Sequence, residues 1–360
     1  MKIIISFFIF CLVLFIYLHI QFHLKTSNDL EIYELDDASK EKLEEVCDMR
    51  QPVIFNYDDE KVIETTNKNF ISDNYSSFEI KIRNINETGK SSELYVPLPL
   101  HASNKLFDED KNSCYFSENN SDFLNETGVV KNFKYNDIFL RPYMVSNMNY
   151  DIMMSSKDTI TPFRYETNYR NYFLCTQGSV EIKMAPPQSS KYLYPEYDYE
   201  NFEFNSPINP WNVQTKYAAD FNKIKCLEIS LTKGKIIYIP AYWWYSIKFN
   251  NDSSISCFRY RTYFNNLAIS PYIFMHILQI QNIKRDVINK IPLVTLKNNS
   301  NTFVSDNVNV NNIDVNSNTD PNNINDIVSN NKIQPDNIEN TATINNLDNL
   351  NYENTGAEKK

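Results

Sequence analysis

GKIIYIPAYWWY, residues 234–245, is the most informative part of this 360-residue chain for its fold. Gly234 indicates a turn, the apolar run after it predicts a buried strand, and Pro240 ends that strand before a cluster of aromatic residues. Outward from this stretch, short apolar and aromatic runs such as PVIFNY, NYFLCTQGSVEIKM and SISCFRYRTYF alternate with Asn, Asp, Ser and Pro. Many short strands separated by turn signals predict a mainly β sandwich or jelly roll.

Residues 234–245 resemble the G-D-x-x-x-I-P-x-x-W-W-H stretch of the JmjC and cupin-like 2-oxoglutarate oxygenases, particularly the asparaginyl-hydroxylase type. Upstream, TPFRYE at residues 161–166 is similar to the family's T-P-x-H-x-D motif, and NYF, Gly178 and PP at 186–187 follow in the family's order. The resemblance covers about residues 30–263. It implies a double-stranded β-helix, the family's form of jelly roll, with flanking helices.

The resemblance also implies where an iron site would stand. Non-haem iron in this family is held by two His and one carboxylate, with open positions for oxoglutarate and dioxygen. Here Arg164 takes the place of the first His, Glu166 that of the carboxylate and Tyr245 that of the second His. Because a guanidinium has no lone pair to give and stays protonated, the ligand set is degenerate. We therefore expect no metal, no cofactor and no catalytic residue, and favour a pseudo-oxygenase over a working oxygenase with an atypical site.

The co-substrate side departs from the family as well. Val180 stands where the resemblance implies the Lys that pairs with the oxoglutarate carboxylate, although Thr161 keeps a hydroxyl near that place. The four histidines, at positions 19, 23, 101 and 276, all lie outside both motifs. The residues that the resemblance implies around the pocket are Thr161, Tyr172, Val180, Trp243 and Trp244.

Two hypotheses describe what the replaced residues do. Arg164 and Glu166 lie two apart on a predicted strand, so their side chains face the same side and can form an ion pair, with Tyr245 as a further hydrogen-bond partner. Such a polar plug predicts a scaffolding or binding role toward an unidentified protein. Alternatively, the end of the β-helix is open to solvent, which leaves Arg164 free to hold an anion or another small molecule without redox chemistry.

The N-terminus predicts a membrane segment. Residues 3–18 are apolar except for Ser6, and the apolar pattern extends, with a few polar residues, to Leu24. A helix needs about 20 residues to cross the ~30 Å hydrocarbon core, so residues 1–24 predict a single-pass anchor and a membrane location. A cleaved signal peptide is one alternative, although no small-x-small cleavage site lies between Tyr17 and Asn28, and a buried core helix is another.

The rest of the chain divides at two places. Residues 25–270 hold the predicted β domain, and apolar residues after Pro271 recur at helical spacing, which predicts a C-terminal helix over 271–296. That helix can either cap the domain or form a homodimer. From residue 298 onward, nine acidic and three basic side chains carry a net −6 of the chain's −10. Residues 297–360 are Asn-rich and predict a disordered tail.

Composition argues against several function classes. Basic residues do not form a stripe interleaved with aromatics, so nucleic-acid binding is not predicted. The six cysteines are widely spaced and form no C-x-x-C pair, which predicts neither a disulfide framework nor a zinc site. The heavy use of Asn suits a large DNA virus or a protist as the source.

Overall fold

The computed structural model describes residues 1–36, 39–86 and 94–285. In this part of the chain the helices are α1 (Lys2–Leu24), α2 (Lys40–Asp48), α3 (Glu60–Thr66), α4 (Lys68–Tyr75), α5 (Leu100–Glu109), α6 (Ser121–Glu126), α7 (Val130–Asn136), α8 (Ala218–Phe221), α9 (Tyr263–Ala268) and α10 (Ser270–Arg285). The strands are β1 (Tyr33–Leu35), β2 (Val53–Asn56), β3 (Glu79–Asn84), β4 (Val96–Pro99), β5 (Tyr115–Ser117), β6 (Val145–Ser155), β7 (Phe163–Tyr165), β8 (Arg170–Gln177), β9 (Ser179–Ala185), β10 (Glu196–Asp198), β11 (Glu203–Ser206), β12 (Leu227–Thr232), β13 (Lys235–Tyr238), β14 (Trp244–Phe249) and β15 (Ser254–Thr262). The mainly β fold with helices that the sequence predicts is confirmed.

The strands form two sheets. The larger has nine strands in the order β1-β2-β13-β8-β15-β6-β5-β3-β4, and the smaller has six in the order β10-β11-β7-β14-β9-β12. From β6 onward the chain crosses repeatedly between them: β6, β8, β13 and β15 belong to the larger sheet, and β7, β9, β12 and β14 to the smaller. The two sheets share one apolar core, to which strands of both contribute.

Strand β13, which lies within residues 234–245, is buried on both faces. It pairs antiparallel with β2 on one side and β8 on the other. Ile237 packs with Phe173 and Ile247 in the core between the sheets, whereas Ile236 and Tyr238 belong to a second core shared with the helices α2 to α7. Alternate strand residues point to opposite faces, so one short strand joins both cores. Each fully buried aliphatic side chain contributes about 1.5–3 kcal/mol.

The smaller sheet packs its other face on the segment that follows β9. Tyr165 of β7 and Trp244 of β14 lie in this third core, and Phe204 of β11 stacks on Tyr165 with ring centroids 5.1 Å apart. Because strand residues alternate in direction, the neighbours Arg164 and Tyr245 face the space between the two sheets. The packing of the aromatic rings on the outside therefore fixes which polar side chains point inward.

Two helices have clear sequence signals. Ser39 caps α2 by accepting a hydrogen bond from the Lys42 backbone N–H. The helix expected after Pro271 is present as α10. The remainder of that prediction, residues 286–296, and the predicted disordered tail, residues 297–360, lie outside the described residues.

Helix α1 is 23 residues long and apolar enough to cross a membrane. Its side chains are exposed over most of its length, but its last turns pack on α9. There the ring of His19 lies 4.4 Å from that of Phe264, and His23 is buried.

We predict that Gly178→Ala destabilises the fold more than the matched control Gly234→Ala. Both glycines have positive φ, +66° and +83°, a backbone conformation that costs an alanine about 1–2 kcal/mol. At Gly178 an added Cβ would also lie 2.9 Å from the Asp252 carbonyl oxygen, whereas at Gly234 it meets nothing within 4 Å. Urea unfolding of both variants measures the difference, and equal losses would contradict this account of the turn between β8 and β9.

Candidate functional site

The three positions that the sequence singles out lie together between the sheets. Arg164 of β7 and Tyr245 of β14 are directly paired residues of adjacent antiparallel strands. Glu166 follows β7 immediately, and its carboxylate accepts a hydrogen bond of 2.6 Å from the Tyr245 hydroxyl. The strand register therefore brings side chains 79 residues apart in sequence into contact.

Arg164 is held by a carboxylate that the sequence motifs do not include. Its Nη1 donates to Oε1 of Glu118 at 2.9 Å, and its Nη2 contacts Oε2 of the same side chain, which makes a bidentate pair. Both side chains are buried, with 6% and 1% of their surface exposed. The hypothesis of an Arg164–Glu166 ion pair is therefore wrong. Glu118 follows β5 directly and reaches Arg164 across the space between the two sheets.

Glu166 has its own cation. The Nε of Arg259 lies 3.1 Å from both carboxylate oxygens of Glu166. The amide of Asn168 donates to Oε2 at 2.7 Å. With the bond from Tyr245, every oxygen of this carboxylate is engaged by a donor within the protein. The hypothesis that Tyr245 is a further partner holds, but its bond goes to Glu166 rather than to Arg164.

The two pairs belong to one buried network. Arg83 bridges Glu118 and Glu203, at 3.2 and 3.0 Å. On the other side, Arg259 also contacts Asp151 at 3.4 Å. The charged members of the network are Arg83, Arg164, Arg259, Glu118, Asp151, Glu166 and Glu203. Three cations face four carboxylates, so the network tolerates one more positive charge.

Arg261 is that additional cation, and it has no carboxylate partner among the described residues. Its Nε donates to the side-chain oxygen of Asn168 at 2.6 Å, and its guanidinium lies 5.0 Å from the ring centroid of Phe202. Burial lowers the pKa of Arg261 below its ordinary value, while the charge of Glu166 opposes that shift. An anion near this guanidinium would be stabilised by it.

Neighbouring cations and donors keep Glu118 and Glu166 ionised. Burial alone would raise the pKa of Glu118, but the guanidiniums of Arg164 and Arg83 outweigh it and lower that pKa to about 2. For Glu166, burial again acts in the raising direction, and Arg259 with the Tyr245 hydroxyl brings the pKa below its usual value. Burial and the adjacent Glu166 raise the pKa of Tyr245 far above its usual range, so this phenol stays protonated and acts as a donor.

A polar cavity of about 310 Å³ opens beside the network. Arg164 and Glu166 line it, together with Arg259 and Arg261. Its other lining residues are Glu118, Asn119, Asn147, Asn149, Tyr165, Thr167, Asn168, Asn201, Phe202, Glu203 and Phe204. Charged groups and amides dominate this wall, so the cavity suits a polar ligand rather than an apolar one.

The other residues expected around the pocket lie deeper or elsewhere. Val180 and Trp243 pack in the core between the sheets with Tyr245, and Trp244 belongs to the outer core, where its indole N–H donates to Ser190. Tyr172 lies in the helix-side core, where its hydroxyl contacts the Cys47 thiol at 3.7 Å. The hydroxyl of Thr161 accepts a bond from the Ile247 backbone N–H. None of these residues lines the cavity described above.

The residues at the implied iron site do not fit an iron ion. Arg164 offers no lone pair, Tyr245 is a protonated donor, and the oxygens of Glu166 are already bonded to Arg259 and Tyr245. Non-haem iron requires imidazole and carboxylate ligands on one face with open positions. Within the described residues, no group of three or more His, Cys, Asp or Glu could hold a metal.

Sequence reasoning missed Glu118, Arg259 and Arg261. A signal for the two arginines was present in FRYRTYF, where Arg259 and Arg261 alternate with Phe258 and Tyr260. Alternation on a strand sends the arginines to one side and the aromatic rings to the other. Glu118 lies 46 residues before Arg164, and no local pattern links the two.

Comparisons with known proteins agree with the motifs. The chain matches the sequence profile of the cupin-like domain over residues 26–266, which confirms the resemblance. It is 29% identical over 103 residues to JmjC domain-containing protein D of Dictyostelium discoideum, covering 28% of this chain and 22% of that protein. It is 27% identical over 97 residues to HSPB1-associated protein 1 of Bos taurus, covering 27% of this chain and 20% of that protein. The aligned region thus spans about a fifth of these curated relatives.

We predict that Arg164→Met lowers the free energy of unfolding by about 3–5 kcal/mol, because it leaves Glu118 buried with a weaker cation environment. The double variant Arg164→Met/Glu118→Gln should lose less than the sum of the two single variants, since the unpaired charge is gone. Urea unfolding provides the values. Lys105→Ala, which breaks an exposed pair with Glu109, is the control and should change stability by less than about 0.5 kcal/mol. Additive losses would contradict a coupled buried pair.

We also predict an acid-dependent loss of stability from Glu118. Its pKa is lowered on folding from 4.5 to about 2, so the pair contributes fully above about pH 4.5. As pH falls from there through about 2, the unfolded carboxylate takes up a proton first and the contribution disappears. The slope of unfolding free energy against pH in this window should be shallower in Arg164→Met. A slope unchanged from that of the parent protein would show that Glu118 titrates normally.

Proposed function

This chain belongs to the cupin-like domain family, and we propose that it is a catalytically inactive, membrane-anchored member with a binding or scaffolding role. In this proposal the domain is a double-stranded β-helix. The strands that cross between the sheets support this, because β13-β8-β15-β6 and β7-β14-β9-β12 are the neighbours expected when eight strands wind alternately into two facing sheets.

The observation that carries the loss of catalysis is the buried pair between Arg164 and Glu118. The guanidinium supplies a positive charge at the position implied for the first iron ligand, and Glu118 with Arg83 surrounds it. Moving a metal into this place would bring two cations together in a buried site, at a high electrostatic cost. The network therefore replaces a metal-centred site by a fixed polar structure that gives the domain a rigid interior.

Membrane anchoring is supported by the length and hydropathy of α1. Its 23 residues span about 34 Å at 1.5 Å per residue, which exceeds the ~30 Å hydrocarbon core. An anchored domain whose interior does no chemistry is suited to hold a protein partner at the membrane surface.

We expect purified full-length protein in detergent to contain iron far below one atom per chain after incubation with Fe(II), and to turn over no 2-oxoglutarate. The control is the triple variant Arg164→His/Tyr245→His/Glu118→Gln, which sets two imidazoles beside Glu166 and should gain Co(II) binding. Metal content and oxoglutarate decarboxylation are measured on both. Stoichiometric iron together with turnover in the parent protein would contradict the proposal.

A second candidate function is the binding of a small anion in the cavity. Arg164 is committed to Glu118, so the earlier idea that Arg164 holds the anion does not fit its contacts. Arg261 is better suited, because no carboxylate among the described residues pairs with it and it lies in the cavity wall. The amides of Asn147 and Asn149 line the same wall and could donate to the anion's oxygens.

For this candidate we predict that inorganic phosphate raises the melting temperature of the parent protein more than that of Arg261→Met. Ligand binding to the folded state alone stabilises it by mass action. Chloride at equal ionic strength corrects for screening, and Lys131→Met, which removes an exposed cation outside the cavity, is the matched control. The anion function fails if Arg261→Met and Lys131→Met respond to phosphate alike.

A further inference from the structure

Helices α9 and α10 present apolar side chains to solvent beside the membrane helix. On α9, Tyr263 is 64% and Leu267 42% exposed; on α10, Phe274 is 61% and Leu278 47% exposed. Phe274 and Leu278 lie four residues apart on α10, so their side chains share one face of that helix, and Leu267 lies near the end of the adjoining helix α9. The sequence from Tyr263 to Arg285 contains no Asp or Glu. A surface of this composition is unusual for a part of a protein that faces water.

Helix α1 is fastened to α9 well before its own C-terminal end. The ring of Phe264 lies 5.8 Å from that of Phe15 and 4.4 Å from that of His19. One turn further, Nε2 of His23 and the Thr262 hydroxyl are 3.0 Å apart. Three successive turns of α1 therefore contact the start of α9.

Because α1 contacts α9 so early, the domain cannot lie entirely outside the bilayer if α1 crosses it. The part of α1 before Phe15 comprises 13 residues, Lys2 to Leu14, and spans about 20 Å. The hydrocarbon core is ~30 Å thick, so this free part is about 10 Å too short to cross it. The turns that contact Phe264 must supply the missing length, and they bring α9 to the same depth.

We propose that α9 and the first half of α10 lie in the membrane interface, with Leu267, Phe274 and Leu278 in contact with lipid and Tyr263 at the headgroup level. This inference rests on the proposed anchor and adds a second membrane contact to it. An amphipathic helix at this boundary buries its apolar face about 5–10 Å deep, which matches the missing length of α1. Tyrosine is enriched at such interfaces because its ring is apolar and its hydroxyl polar.

A surface seated on lipid also orients the domain. With α1 crossing the bilayer and α9–α10 lying on it, the domain has two contacts with the membrane rather than one flexible tether. Rotation about α1 would be restricted, so the polar cavity would keep a fixed direction relative to the membrane.

The test uses the full chain in vesicles of uncharged phosphatidylcholine, with a spin label at one cysteine at a time. Native Cys11, which is exposed on α1, reports on the anchor in a Cys226→Ser background. Leu267→Cys and Phe274→Cys, each in a Cys11→Ser/Cys226→Ser background, report on the proposed surface. Val96→Cys in the same background is the matched control, because it is an apolar residue with 51% exposure on the edge strand β4. Oxygen partitions into lipid and a water-soluble nickel chelate does not, so the ratio of the two accessibilities measures depth.

We expect a ratio several-fold higher at residues 267 and 274 than at 96, and the highest ratio at residue 11. A water-like ratio at 267 and 274, with residue 11 deep in the bilayer, overturns the inference and leaves the anchor intact. A water-like ratio at residue 11 overturns both. Spin–spin broadening between labels at 274 on different chains, with low access to both reagents, would instead assign the surface to a second copy and also overturn the inference.

Discussion

The structure of this domain's interior depends on one buried ion pair, that of Arg164 with Glu118. Each charge would be costly to bury by itself, and the bidentate contact makes the burial of both tolerable. The other charges surround this pair. Arg83 forms a second ion pair with Glu118, and Arg259 forms an ion pair with Glu166. Because Arg83, Arg259 and Glu118 each contact two opposite charges, the members of the network depend on one another.

The fold explains why these charges meet. Two facing sheets send alternate side chains inward, and the short strands β7 and β14 pair with Arg164 opposite Tyr245. The outward neighbours of these residues are aromatic rings packed in a separate core. If the strand pairing shifted by one residue, the charged side chains would turn to this outer core and the rings would turn into the space between the sheets. The packing of the aromatic rings on one face thereby holds the charged side chains in place on the other face. The same geometry that could gather metal ligands here gathers a guanidinium, a carboxylate and a phenol.

The sequence predicted the mainly β fold, the family and the meeting of positions 164, 166 and 245, because motif spacing on strands has a fixed geometry. It failed on the ion pair, since Glu118 reaches Arg164 through the arrangement of sheets and not through any local pattern. It also left Arg261 unnoticed, although the alternation in FRYRTYF was readable. Tyr172 and Trp244 were expected around a pocket, yet side-chain direction on β8 and β14 sends them into other cores.

In the proposed function, Arg164 paired with Glu118 fills the position where the family resemblance implies an iron ligand. A crystal of the protein soaked with Fe(II) and 2-oxoglutarate, measured at the iron absorption edge, tests this claim. We predict density for the Arg164 guanidinium in bidentate contact with Glu118 and no anomalous peak beside Glu166. An anomalous peak bonded to Glu166, with Arg164 turned away from Glu118, would contradict the claim.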